Sequence, residues 1–181
     1  MNTIESLHPI LVHFPIALLV IYAILECVRF KKITEWHSFF FIKAFLAIFG
    51  FLAAIAAFST GPEGSAIHGW SGYTGMTGSN GRPILRQIVD MHSNFATLTV
   101  IIFGIIAASY LVVWIQREYP INHKIWNYVL QIARFIQKPT VIIILAIIGL
   151  VAVTIAGSLG GSIVYGPDVD PVVSFIYHLL F

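Results

Sequence analysis

The chain has 181 residues, of which 58% are hydrophobic and only 10% are charged, and its mean hydropathy is +0.89. This composition excludes an ordinary soluble domain and is typical of an integral membrane protein. The net charge of +2 is too small to indicate a nucleic-acid partner. The single cysteine excludes an internal disulfide, a thiolate cluster and covalent haem attachment through CxxCH.

Four apolar stretches are long enough to cross a bilayer core, which takes about 20 helical residues. They run from Pro9 to Val28, from Ser38 to Phe58, from Ser93 to Ile115 and from Pro139 to Val164. Because these spans and their connections fill the chain, we expect one transmembrane domain over residues 1–181. The predicted fold is all-α, an integral membrane four-helix bundle with up-and-down topology.

Two histidines open the first span, in the segment HPILVHFPIALL. His8 precedes a proline, which is tolerated in the first turn of a helix because its missing N–H would have had no partner there. His13 follows about 7 Å deeper along the helix axis. The two side chains differ by roughly 140° around an ideal helix and do not share one face. We therefore expect His13 to be the better candidate for a single site.

The connection from Ser59 to Asp90 is the longest and least regular part of the chain. Glycine recurs in it at every third residue from Gly69 to Gly81. Loops of this length are usually either functional or disordered. Trp70 and Tyr73, which lie between the glycines, favour an ordered lid on the outer mouth of the bundle. His68 lies at the start of this Gly-rich loop.

A segment between the third and fourth spans repeats large apolar residues at helical spacing and also carries basic residues. Lys124, Arg134 and Lys138 complete this pattern, which predicts an amphipathic helix in the cytoplasmic interface. We interpret it as an anchor. Glu26 and Tyr22, toward the same end of the first span, form no evident proton path.

The distribution of basic residues predicts the orientation. Arg29, Lys31 and Lys32 follow the first span, and further basic residues lie between the third and fourth spans. By the positive-inside rule, both termini and residues 59–92 face outward, to the periplasm of a bacterial inner membrane. Four histidines then gather on the outer side. They are His8, His13, His68 and His92.

Imidazoles placed repeatedly beside hydrocarbon favour a functional interpretation. His13 and His92 start at comparable depth on two different helices, so they could ligate the two faces of a b-type haem. Such a six-coordinate haem suits electron transfer. Arg82 and Arg86 are the basic residues available for its propionates, and His8 or His68 would support the site or belong to a second one.

Two other classes of function remain open. The same histidines could hold a copper, zinc or iron ion in a small metal centre, with a nearby carboxylate adding oxygen. The chain could also be a cofactor-free structural subunit of a larger respiratory or photosynthetic complex. An electron-transfer or accessory subunit is favoured over a stand-alone enzyme.

The motifs HPILVHFPIALL, MHSNFA and AGSLGGSIVYGPDV resemble a family of bacterial four-helix membrane proteins catalogued as domain of unknown function 2231. The resemblance covers nearly the whole chain. It implies four spans and a redox setting beside c-type cytochromes. For the predicted haem protein, the electron partners would be c-type cytochromes, a quinone or a larger redox complex. The matching positions here are His8, Pro9, His13, Pro15, His92, Gly157, Gly160, Gly161 and Tyr165.

Overall fold

A computed structural model of the protein describes residues 8–28, 36–61, 69–78 and 80–181. These residues are almost entirely helical and include no β-strand. A short 3-10 turn at Ser71–Tyr73 lies in the Gly-rich segment. The helices are α1 (His8–Leu11), α2 (His13–Cys27), α3 (His37–Ser59), α4 (Ile84–Glu118), α5 (Lys124–Ile136), α6 (Pro139–Tyr165) and α7 (Pro171–Leu180).

Three of the described helices, α3, α4 and α6, are long and apolar enough to cross a membrane. They agree with the second, third and fourth predicted spans, although α4 begins nine residues before the predicted Ser93, at Ile84. The first predicted span is interrupted at Val12 between α1 and α2. Pro15 explains the interruption, because it has no N–H to donate to the carbonyl of Leu11.

The four longest helices pack in a ring that follows their order along the chain. Helix α2 packs against α3 and α6, and α4 packs against the same two helices from the opposite side. The helices with the two predicted haem ligands, α2 and α4, are therefore diagonal across the core. Helix α5 packs on the end of α4, and α7 packs back on α6.

The core between these helices is made of interlocking large and small residues. A Cβ added at Gly50 would come within 2.5 Å of the Leu19 side chain, and one at Gly149 within 2.8 Å of the Phe103 ring. Glycine thus lets neighbouring helices approach closely, as is common where lipid removes the hydrophobic force between helices. Large apolar side chains cover the outside as well, so the surface is suited to lipid contact. Examples are Phe45, Phe49, Leu52, Ile144, Ile147 and Val151.

Residues 69–78, which we call the lid, pack against the C-terminal end of α6. The Trp70 N–H donates to the carbonyl of Ile163 at 2.7 Å. The buried Tyr73 hydroxyl lies 2.6 Å from Ser162 Oγ. The Tyr73 ring also contacts Tyr177 on α7, with 6.2 Å between ring centroids. Two hydrogen bonds and a set of aromatic rings therefore hold the lid in place.

Replacing Tyr73 by Phe should destabilise the lid by about 1–2 kcal/mol, because the Ser162 hydroxyl would lose its partner. Burial raises the pKa of Tyr73 above its ordinary value of 10.0. The neutral phenol therefore stabilises the fold up to pH 10, and this contribution is lost as the pH rises further through the raised pKa. Thermal unfolding in detergent across this range measures the difference between the two proteins.

Tyr165→Phe is the matched control, since it removes the same hydroxyl from an exposed tyrosine on α6. Its unfolding temperature should equal that of the unmodified chain. Equal unfolding temperatures for the Tyr73 and Tyr165 variants would show that the contact with Ser162 contributes nothing.

Candidate functional site

His8 and His92 each make a hydrogen bond to the backbone of a neighbouring helix. His8 Nδ1 lies 2.9 Å from the carbonyl of Ala57 at the end of α3, and 3.2 Å from Thr60 Oγ1. His92 Nδ1 lies 2.8 Å from the carbonyl of Ala156 on α6. A carbonyl only accepts, so both Nδ1 atoms carry a proton and donate it.

These hydrogen bonds assign the tautomer of both imidazole rings. When Nδ1 carries the proton, a neutral imidazole has its lone pair on Nε2. No residue in the described part of the chain makes a hydrogen bond to either Nε2. Two imidazoles oriented by hydrogen bonds thus lie at the same end of the bundle.

The other predicted site residues are placed differently. His13 is exposed on α2. His68 lies outside the described residues. Over the residues that are described, no group of three or more His, Cys, Asp or Glu side chains comes close enough to hold a metal ion.

The two arginines predicted to face propionates both lie near the start of α4. Arg82 Nη2 forms an exposed ion pair with Asp90 Oδ2 at 2.6 Å, and Arg86 is exposed. Arg82 also lines a surface cleft of about 290 Å³ together with Asn94 and Phe181. The Arg82 guanidinium therefore already has a carboxylate partner, and a propionate would have to share it.

A second polar cluster, which sequence reasoning missed, lies at the opposite end of the bundle. Glu26 on α2 is only 1% exposed. Its carboxylate accepts from Lys43 Nζ on α3 at 3.0 Å and from the Tyr110 hydroxyl on α4 at 2.9 Å. The Lys43 ammonium also lies over the Phe39 ring, 5.0 Å from its centroid. One carboxylate thus joins three helices.

The aromatic surroundings of this cluster restrict access of water to Glu26. Tyr22 is completely buried and packs edge-on against Tyr110 and Phe103, with ring centroids 6.0 and 6.1 Å apart. A buried ionisable group in a membrane helix is a candidate functional residue. Here Glu26 also connects three helices. The signal in the sequence was a pair of opposite charges, Glu26 and Lys43, each inside an apolar span at the same end.

Comparison with protein-family models, with curated proteins and with solved structures found no match for this chain. The resemblance to the four-helix family named above therefore stays a prediction, and the argument for function rests on the residues.

Replacing Glu26 by Ala should destabilise the protein by about 3–5 kcal/mol, because the Lys43 ammonium would remain buried without its carboxylate. The double variant Glu26→Leu with Lys43→Met should recover most of this loss, since neither charge is then buried. Unfolding in detergent or mixed micelles measures both values.

Asp90→Ala is the control for this prediction. It breaks an ion pair of which both side chains are about half exposed, so the expected cost is at most about 1 kcal/mol. If Glu26→Ala lowered the free energy of unfolding no more than Asp90→Ala does, the structural role of the buried cluster would be contradicted.

Proposed function

We propose that the chain is a four-span membrane protein of the bacterial inner membrane with both termini on the periplasmic side. Helix α2 would be the fourth span, extended outward by α1. Its 15 residues give a length of about 22 Å at 1.5 Å per residue. The basic residues between α4 and α6 support the orientation, because such residues concentrate on the cytoplasmic side.

We further propose that the outer end of this bundle binds a b-type haem and transfers electrons. The observation that carries this proposal is the pair of hydrogen bonds from the Nδ1–H groups of His8 and His92 to backbone carbonyls. Histidines that ligate metals almost always donate their second ring nitrogen to such a partner, which fixes the tautomer and the ring orientation. Because His8 makes such a contact and His13 is exposed on α2, we propose His8 in place of the predicted His13 as the partner of His92.

Small residues of α6 contact the His92 ring closely. A Cβ at Gly160 would lie 3.2 Å from His92 Cε1. The side chain of Ala156, whose carbonyl accepts from His92, is a single methyl group. Arg82 and Arg86 supply positive charge at the start of the same helix, where they would interact with propionates.

The chemistry follows from the ligand set. His8 and His92 would hold the haem, which would supply the transfer of single electrons. The protein would keep the two rings in their Nδ1–H tautomers. Periplasmic c-type cytochromes, a membrane quinone or a larger redox complex would be suitable electron partners.

A reduced-minus-oxidised absorption spectrum of the purified protein tests the proposal. We expect sharp reduced-state bands that are lost in His8→Ala and His92→Ala and retained in His13→Ala. His92→Met should keep some haem, because a thioether is also an axial ligand, with a raised reduction potential. This variant separates loss of ligation from loss of folding.

The other outcomes identify the alternatives. A colourless protein that contains stoichiometric copper, zinc or iron would replace the haem with a metal centre. A colourless and metal-free protein that copurifies with a large complex would support a structural subunit. Loss of the bands in His13→Ala and their retention in His8→Ala would restore His13 as the ligand.

Gly160→Ala should weaken haem binding about tenfold or more and shift the absorption bands, because the new methyl group would press on the His92 ring. Gly157→Ala is a matched control on the same helix, three residues away. The nearest atom to its added Cβ is Ile16 Cδ1, at an ordinary contact distance of 3.4 Å. Equal spectra and equal haem content in the two variants would contradict a ligand role for His92.

A further inference from the structure

The end of the molecule opposite the histidines has a small cleft where α4 and α5 meet. Its volume is about 280 Å³. Two arginines, Arg117 and Arg134, line it with two glutamines, Gln116 and Gln137. No carboxylate is among the lining residues.

The polar groups of the cleft are mostly hydrogen-bond donors. Gln137 Nε2 is buried and has no partner among the described residues. The Trp126 indole N–H donates to Gln116 Oε1, which assigns the oxygen of that amide and leaves its nitrogen as a further donor. A buried amide donor without a partner costs free energy unless a ligand or water accepts from it.

The two arginines are not neutralised by carboxylates within the described residues. Arg117 is held by stacking instead, with its Cζ 3.7 Å from the centroid of the Phe40 ring. Stacking fixes the plane of the guanidinium and leaves its N–H groups available. Planar guanidinium groups bind phosphate oxygens through paired hydrogen bonds.

The surface beside the cleft is apolar. Helix α5 exposes large side chains along one face although it is too short to span a bilayer, and this pattern is typical of a helix lying in the membrane interface. These side chains are Ile125, Tyr128, Ile132 and Phe135. A ligand in the cleft would therefore have a negatively charged group in the cleft and hydrocarbon beside it.

From this arrangement we infer that the cleft lined by Arg117, Arg134 and Gln137 is a binding site for a phosphate group, held as the headgroup of an anionic phospholipid. Its volume is just below the 300–1,000 Å³ that is usual for sites of drug-sized ligands. It therefore fits a headgroup and not a whole lipid. The site does not depend on the histidines or on haem.

Native mass spectrometry of the full chain in detergent, with lipid added in defined amounts, tests the inference. The probes are phosphatidylglycerol and phosphatidylcholine with identical acyl chains. We expect phosphatidylglycerol to bind at least fivefold more tightly. The double variant Arg117→Gln with Arg134→Gln should lose this preference. Each positive charge that is removed should weaken the binding of phosphatidylglycerol about fivefold.

Lys124→Gln with Lys138→Gln is the matched control. It removes two positive charges from the same connection, and neither lysine lines the cleft. This control should keep the preference for phosphatidylglycerol. Gln137→Glu tests the buried donor separately and should weaken binding by placing a carboxylate beside the phosphate.

Inorganic phosphate forms the second arm of the experiment. Displacement of phosphatidylglycerol by phosphate would support recognition of the phosphate group by the cleft. Binding of phosphate without binding of phosphatidylglycerol would identify a soluble anion as the ligand, against the inferred lipid. Equal binding of the two lipids without phosphate binding would overturn the inference. An equal loss in the arginine and lysine variants would also overturn it.

Discussion

The structure depends on one constraint: a polar group inside an apolar bundle must find its partner within the chain, because hydrocarbon offers none. Two threonine hydroxyls find this partner within their own helix. Thr99 Oγ1 donates to the carbonyl of Phe95 one turn earlier, and Thr154 donates to Leu150 in the same way. Charged and imidazole groups reach further, to other helices. Each such contact fixes the rotation of two helices relative to each other, so the costly polar groups also determine how the bundle is assembled.

Within the described residues, the polar contacts between helices lie at the two ends of the bundle, and close packing of side chains joins the helices in the middle. Gly50 beside Leu19 and Gly149 beside Phe103 are contacts that a single added methyl group would disrupt. Dispersion between closely packed atoms is the main attraction available there, since lipid chains are as apolar as the helices. Shape fixes the distance between helices, whereas the polar contacts at the ends select one arrangement among several that pack equally well.

Sequence alone was sufficient for properties that depend on one segment. Hydropathy located α3, α4 and α6, and helical spacing located α5, because burial in lipid and amphipathicity are local patterns. It was not sufficient for partners on different segments. Depth favoured His13 over His8, but the contact of His8 with the carbonyl of Ala57 depends on how α1 lies against α3, which depth does not report. The pairing of Glu26 with Lys43 was missed for the same reason, as hydropathy carries no information about rotation.

Helix packing and the proposed cofactor binding would make compatible demands on His8 and His92. A carbonyl that accepts from Nδ1–H satisfies the polar ring within the bundle and, by the same bond, leaves the lone pair on Nε2. A histidine that only joined helices could use either nitrogen equally well, yet His8 and His92 both use Nδ1. Glu26 has a different arrangement, because donors from two other helices already contact its carboxylate. The buried carboxylate is therefore satisfied by the fold itself, whereas the Nε2 atoms of the two imidazoles have no hydrogen-bond partner among the described residues.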